Sequence, residues 1–314
     1  MHIELLLQPV LALADGAAAV AAEASKQNID FIGHVANGEH ALLHLPTIWG
    51  IDFSVTKHVL MLWVVALGLF VGVTSVARRA AARGVVAPAG AGNALEVIVE
   101  FVRDGMVLPN VGAKWVKTWT PLLLTFFLFI LCANAIGLVP IFEVLGLVDH
   151  FFLHSGPDSF VAHLIHGGST STSNFNVTAG LASITFFAII TAGTLAHGFV
   201  QHWKNLVPHG MAWPLYFLLI PMELISMLVR PFALTMRLAA NMTGGHIAIL
   251  AILSFVFTFA QMLGPIAGIG VGLGFSVPVA GAVYGLEIIV VLVQAYVFTL
   301  LSAVFIGMAI HAHH

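Results

Sequence analysis

Long apolar runs, each near the length of a membrane crossing, alternate along this chain with short polar joints. His58 to Val76 is the first such run, closed by Arg78, Arg79 and Arg83. Lysine and arginine collect on the cytoplasmic side of membrane segments, so this pattern predicts a crossing with the N-terminus outside. Asn93 to Val107 follows a different rhythm. Leu95, Ile98, Val99 and Val102 fall on one side of a helical wheel and Glu96, Glu100, Arg103 and Asp104 on another, which predicts an amphipathic helix along the inner interface. Pro121 to Val139 predicts the next crossing, rising from Lys114 and Lys117 and punctuated by Gly137 and Pro140. The loop from Ile141 to Phe175 is then outside; it contains Glu143, Asp149 and Asp158 but no Lys or Arg. Asn176 to Val200 crosses back to Lys204.

Trp213 to Leu263 stays apolar for about 50 residues, roughly 75 Å of helix against a hydrocarbon core of about 30 Å. Either one helix lies steeply tilted, or Pro231 or the Gly244-Gly245 pair breaks it in two. Gly264 to Pro278 is dense in glycine and reads as a turn region. Val279 to Ile310 is a final long helix ending in His311, His313 and His314, on the cytoplasmic side. The pattern therefore predicts an all-α, polytopic membrane protein with about five crossings and one interfacial helix. Residues 1–50 form an extracytoplasmic tail and residues 51–314 a single membrane unit with no internal repeat. Leu5 to Ala14 is apolar, but Glu4 stands where a signal peptide carries positive charge, so a short interfacial helix is the expected reading.

Composition agrees with lipid as the solvent. Hydrophobic residues make up 60% and charged residues 8% of the chain, against about 25% charged in a soluble domain. A net charge of -3 with no basic stripe removes nucleic acid from consideration. The single Cys132 cannot form an intrachain disulfide and reads as a small core residue. With five crossings, seven of the eleven Lys and Arg fall on the cytoplasmic side. Two of the others, Arg230 and Arg237, fall inside the long apolar segment.

A charge in that position asks for a reason, since a central arginine costs about 2.5–3.5 kcal/mol on insertion scales. Glu223, Arg230 and Arg237 are spaced by seven, about two turns, and Asn241 lies one turn beyond, so the four share a stripe. His246, nine residues past Arg237, falls on the opposite face and needs its own partner. The last helix offers Glu287, with Gln294 two turns on along the same face. Imidazole and carboxylate buried together exchange protons near neutral pH, which is relay chemistry. Simpler readings stand beside these: Arg230 snorkelling to a headgroup, Arg237 in a structural pair with Glu223 or Glu287, and His246 as a hydrogen-bonded core residue.

These residues resemble a known family. Leu234-Thr-Met-Arg237-Leu-Ala-Ala-Asn241-Met resembles the segment around the arginine of subunit a, the stator channel subunit of F-type ATP synthases. Other blocks resemble the family in the same order. Asn93-Ala-Leu-Glu-Val resembles its interfacial helix, Asn134-Ala-Ile-Gly-Leu-Val-Pro140 its next span, and Asn174-Phe-Asn176-Val-Thr178 the start of the third. Gln294-Ala-Tyr-Val-Phe298 resembles the last helix, so the likeness runs from about Lys57 to Phe305. The resemblance implies that Arg237 faces the proton-carrying carboxylate of a ring of c subunits, supported by Asn241 and Gln294. It implies that His246 and Glu287 line the outer half-channel, and that Glu223 and Arg230 lie nearer the cytoplasmic exit. It further implies a steeply tilted hairpin of the last two helices, a place in the cell membrane beside b-type stalk subunits and the rest of the synthase, and no cofactor.

The chain departs from compact family members in its long outer loop, where His150, His154, His163 and His166 are expected to be solvated rather than to bind metal; His311, His313 and His314 get the same reading. Two rival functions fit less well. A secondary transporter with Arg237 as substrate clamp requires inverted repeats. An intramembrane enzyme requires an elbow or a His-Glu-x-x-His pair, and neither pattern occurs, while Gly268-Ile-Gly-Val-Gly272 lacks the third glycine of a dinucleotide loop.

Overall fold

The computed structural model describes residues 54–82, 90–139, 149, 171–204 and 213–311. The described residues are almost entirely helical, as the hydrophobic pattern predicts: α1 (Lys57–Ala82), α2 (Ala91–Val102), α3 (Leu108–Val111), α4 (Val116–Leu138), α5 (Phe175–His197), α6 (Phe199–Lys204), α7 (Trp213–Leu263), α8 (Pro265–Val271) and α9 (Val277–Ile310). Five segments are long and apolar enough to cross a membrane: α1, α4, α5, α7 and the stretch Pro265–Ile310. The tail 1–50, the loop histidines 150, 154, 163 and 166, and His313 and His314 lie outside the described residues. The chain forms two compact units: residues 43–139, 170–240 and 291–314 make a helical bundle, and Asn241–Val290 with Asp149 supplies the described part of the other.

The bundle is assembled from stripes at helical spacing. Leu123, Phe126, Phe127 and Ile130 of α4 are buried, and Phe126 meets Phe298 edge to face at 5.5 Å. The amphipathic helix turns Val102 inward and leaves Glu96, Glu100, Arg103 and Asp104 exposed, as the alternation predicts. Its second half is not plain α-helix: Arg103–Val107 is a π turn that sets Met106 and Val107 into the core before Pro109 and Gly112 end the element. Asn174 caps α5, its Oδ1 accepting the Asn176 N–H at 2.8 Å. At the other end Gly198, with φ 86°, separates α5 from α6 and lets His202 fold back against Gly193. Burial and the neighbouring His197 push the His202 imidazole below its usual range. His311 is exposed, and its ring Nδ1 donates to the Gly307 carbonyl at 3.0 Å.

Two expectations about the long segments are resolved. Helix α7 is continuous over 51 residues through Pro231 and through Gly244-Gly245, so it is one helix of about 77 Å and neither site breaks it. The glycine-rich stretch Gly264–Pro278 is not a turn region. The turn is confined to Gly264 (φ 97°), and helix resumes at once with Pro265, passing through a π turn, Gly272–Ser276, into α9. In water such a glycine content would favour loop. In lipid every backbone group must be bonded within the segment, which keeps the stretch helical. Two of its glycines serve packing instead: a side chain at Gly268 would collide with Ala260 and stand 2.9 Å from the Val256 carbonyl, and one at Gly272 would stand 3.3 Å from Val256.

Candidate functional site

The polar side chains of the membrane segments gather into separate clusters, each within one unit. In the bundle, Arg230 is held on three sides. Its Nη2 lies 3.3 Å from Glu223 Oε1 and 3.5 Å from Ser226 Oγ, and its guanidinium lies over the Phe305 ring at 5.7 Å. Seven-residue spacing on α7 places acid and base in reach, as the stripe predicts. The Arg230 side chain is only 20% exposed and is engaged by these three neighbours.

Arg237 is arranged differently. Its backbone carbonyl accepts a hydrogen bond from Gln294 Nε2 at 3.1 Å, and Gln294 is itself only 3% exposed. The pair therefore fixes the main chain of α7 at this point to α9. The guanidinium stands on the exposed side of the helix and makes no hydrogen bond or ion pair among the described residues. Neither carboxylate that would neutralise it is engaged with it: Glu223 is bonded to Arg230 and Glu287 to His246. Beside it on the same exposed side lie Phe232, Ala233, Met236 and Ala240. A guanidinium on an apolar helix face is able to dock an anion.

In the other unit, His246 Nδ1 lies 3.2 Å from Glu287 Oε1, with side-chain exposures of 21% and 8%. The sequence suggested acid and imidazole on two helices; the structure joins them across 41 positions. What the sequence did not reveal is the role of Gly245. A Cβ there would collide with Glu287 Oε1 and stand 2.9 Å from its Cδ, so only glycine lets the carboxylate lie against α7. A largely buried imidazole–carboxylate pair can accept a proton at one atom and release it at the other.

Asn134 is fully buried in the bundle, its Oδ1 accepting the Thr172 hydroxyl at 2.6 Å. Thr172 was not singled out from sequence, although the Ser-Thr-Ser-Asn run before an apolar helix is a capping signature that flags the turn. Asn176 and Asn241 are exposed, and neither side chain is hydrogen-bonded among the described residues. The described residues contain no group of three His, Cys, Asp or Glu able to hold a metal ion.

Comparison with known proteins bears on what this arrangement is for. Residues 59–307 match the family model described as ATP synthase A chain. The chain is 38% identical to an ATP synthase subunit a 2 of Chlorobium luteolum, over 85% of its own length and 69% of the relative's. It is 38% identical to one of Prosthecochloris aestuarii over 85% and 72%. It is 36% identical to the ATP synthase subunit a of Chloroherpeton thalassium over 92% and 79%. An arginine on an open apolar face, a buried histidine–carboxylate pair, five membrane-length helices and these matches agree, and the chain belongs to the ATP synthase A chain family, a multi-pass membrane component of that complex.

Proposed function

We propose that the chain is the non-catalytic stator of proton flow, giving each carboxylate of a c-subunit ring access first to one side of the membrane and then to the other. Arg237 is the central residue. It attracts the ionised ring carboxylate as it passes and blocks direct leak, while Gln294 holds the helix backbone beneath it. The neutral carboxyl alone enters lipid, so the proton gradient biases rotation. His246 and Glu287 relay protons in the outer half-channel; Asn134 and Asn176 are polar positions nearer the outer surface, Asn241 supports Arg237, and Glu223 with Arg230 belongs to the inner exit. Residues 1–50 form an outer tail and residues 51–314 the membrane unit. The N-terminus is outside, the C-terminus is in the cytoplasm, and b-type stalk subunits hold the chain in the cell membrane.

The single observation that carries this reading is the guanidinium of Arg237 on an exposed apolar face without a carboxylate of its own among the described residues. The transporter alternative gains nothing from the comparisons, whose family model and relatives are of ATP synthase. Purification in mild detergent through a tag on this chain tests the assignment. A small ring-forming proteolipid and the ATP-hydrolysing head are expected to follow it. A clean monomer that transports a solute would contradict it.

A further inference from the structure

Among the described residues, the unit that holds His246 and Glu287 contains one more buried polar group, which that pair does not use. Ser276 closes the π turn Gly272–Ser276, is fully buried, and its Oγ has no hydrogen-bond partner among the described residues. Hydroxyls on apolar helices ordinarily bond a carbonyl three or four residues back. Three of those of α7 do so: Thr235 to Pro231 at 3.0 Å, Ser254 to Ala251 at 2.7 Å and Thr258 to Ser254 at 3.1 Å. Ser276 sits where the Val277 N–H reaches back to the Gly272 carbonyl, a widened turn of the kind that recurs at functional sites, and its hydroxyl does not close on the local backbone.

Its register is informative. Eleven residues separate Ser276 from Glu287, about three helical turns, so the two leave the helix on the same side with the small, buried Ala280 between them. Along the facing helix, Gly272 rests on Val256 and Glu287 on Gly245, and Ser276 falls between those two contacts. A hydroxyl buried in an apolar hairpin with no partner is unfavourable unless water reaches it, and a serine offers a water both a donor and acceptors.

We propose that Ser276 is a water-bearing position that extends the proton path from the His246–Glu287 pair along the hairpin towards the Gly264 turn. This rests on the proton-path reading of that pair. The hydroxyl accepts a proton from the water on one side as it gives its own to the water on the other, and ends unchanged.

The test uses the assembled synthase in membrane vesicles, with Cys132→Ala as background. Silver ion that reaches a thiol through water blocks its later labelling by a fluorescent maleimide added after denaturation, a readout independent of flux. Ser276→Cys is expected to be protected by silver ion, as is Glu287→Cys. Ser276→Ala is expected to lower proton flux roughly five- to tenfold, the factor set by one lost hydrogen bond, with Ser276→Thr restoring it and the amount of chain in the membrane unchanged. Full labelling of Ser276→Cys beside a protected Glu287→Cys, or normal flux in Ser276→Ala, overturns the proposal alone. Full labelling of both overturns the proton-path reading itself. Should Ser276→Ala fail to accumulate, silver protection of Ser276→Cys decides the matter.

Discussion

Replacing Arg237 by alanine is expected to abolish proton-driven ATP synthesis in membrane vesicles while leaving the chain in the membrane at its normal level. The two halves of that expectation come from different atoms of one residue. Gln294 bonds the backbone carbonyl, which alanine keeps, so the joint between α7 and α9 survives. The guanidinium stands on the exposed face and bonds nothing else among the described residues, so its loss leaves no partner buried and unpaired in them. What disappears is the attraction for a carboxylate arriving from outside. At about 4 Å and an effective dielectric of about 20 that attraction is on the order of 4 kcal/mol, about a thousandfold in the occupancy of the ionised state. Arg237→Lys keeps the charge but loses the planar fork, and is expected to retain only a small part of the activity. Normal synthesis by the alanine variant would refute the assignment.

Glu287→Gln is expected to cut proton flux by about a hundredfold, the scale on which a positioned acid or base assists proton transfer. Glutamine has nearly the same shape and still accepts a hydrogen bond from His246, so the hairpin keeps its packing and the chain its level in the membrane. Gly245→Ala should act in the same direction by a different route, because its methyl group must displace the carboxylate from the surface of α7. Shortening the acid in the same chain, Gly245→Ala with Glu287→Asp, makes room again and is expected to recover part of the flux. Loss of the glutamine variant from the membrane, rather than slowed transport, would mean that His246 and Glu287 are a structural pair.

The parts of this molecule that could be read from sequence are those in which one helix meets its solvent. Span length follows from bilayer thickness, and the inward residues of α2 and α4 from helical spacing; these need no knowledge of a neighbour. The stripe of Glu223 and Arg230 was legible for the same reason, since both lie on α7. The contacts that complete the clusters were legible only in part. Glu287 was matched to His246 by chemistry, one buried acid for one imidazole, and not by spacing; Phe305 under Arg230 and Thr172 bonded to Asn134 have no periodic signature and were missed. Gly245 carries no signal at all, because its contribution is the side chain it lacks. The stretch Gly264–Pro278 misled for a physical reason: glycine marks turns where water can bond the freed backbone, and lipid offers no such bond.

The central claim is that the face bearing Arg237 meets the carboxylate-bearing helix of another subunit. The most direct measurement is disulfide cross-linking in the assembled complex, between single cysteines on α7 and a cysteine placed one turn from the ring carboxylate. Met236→Cys and Ala240→Cys, which flank Arg237 on the exposed side, are predicted to give adducts with the ring subunit, and Leu238→Cys, buried at 1% exposure, to give none. Adducts at Leu238 with none at Met236 or Ala240 would contradict the account.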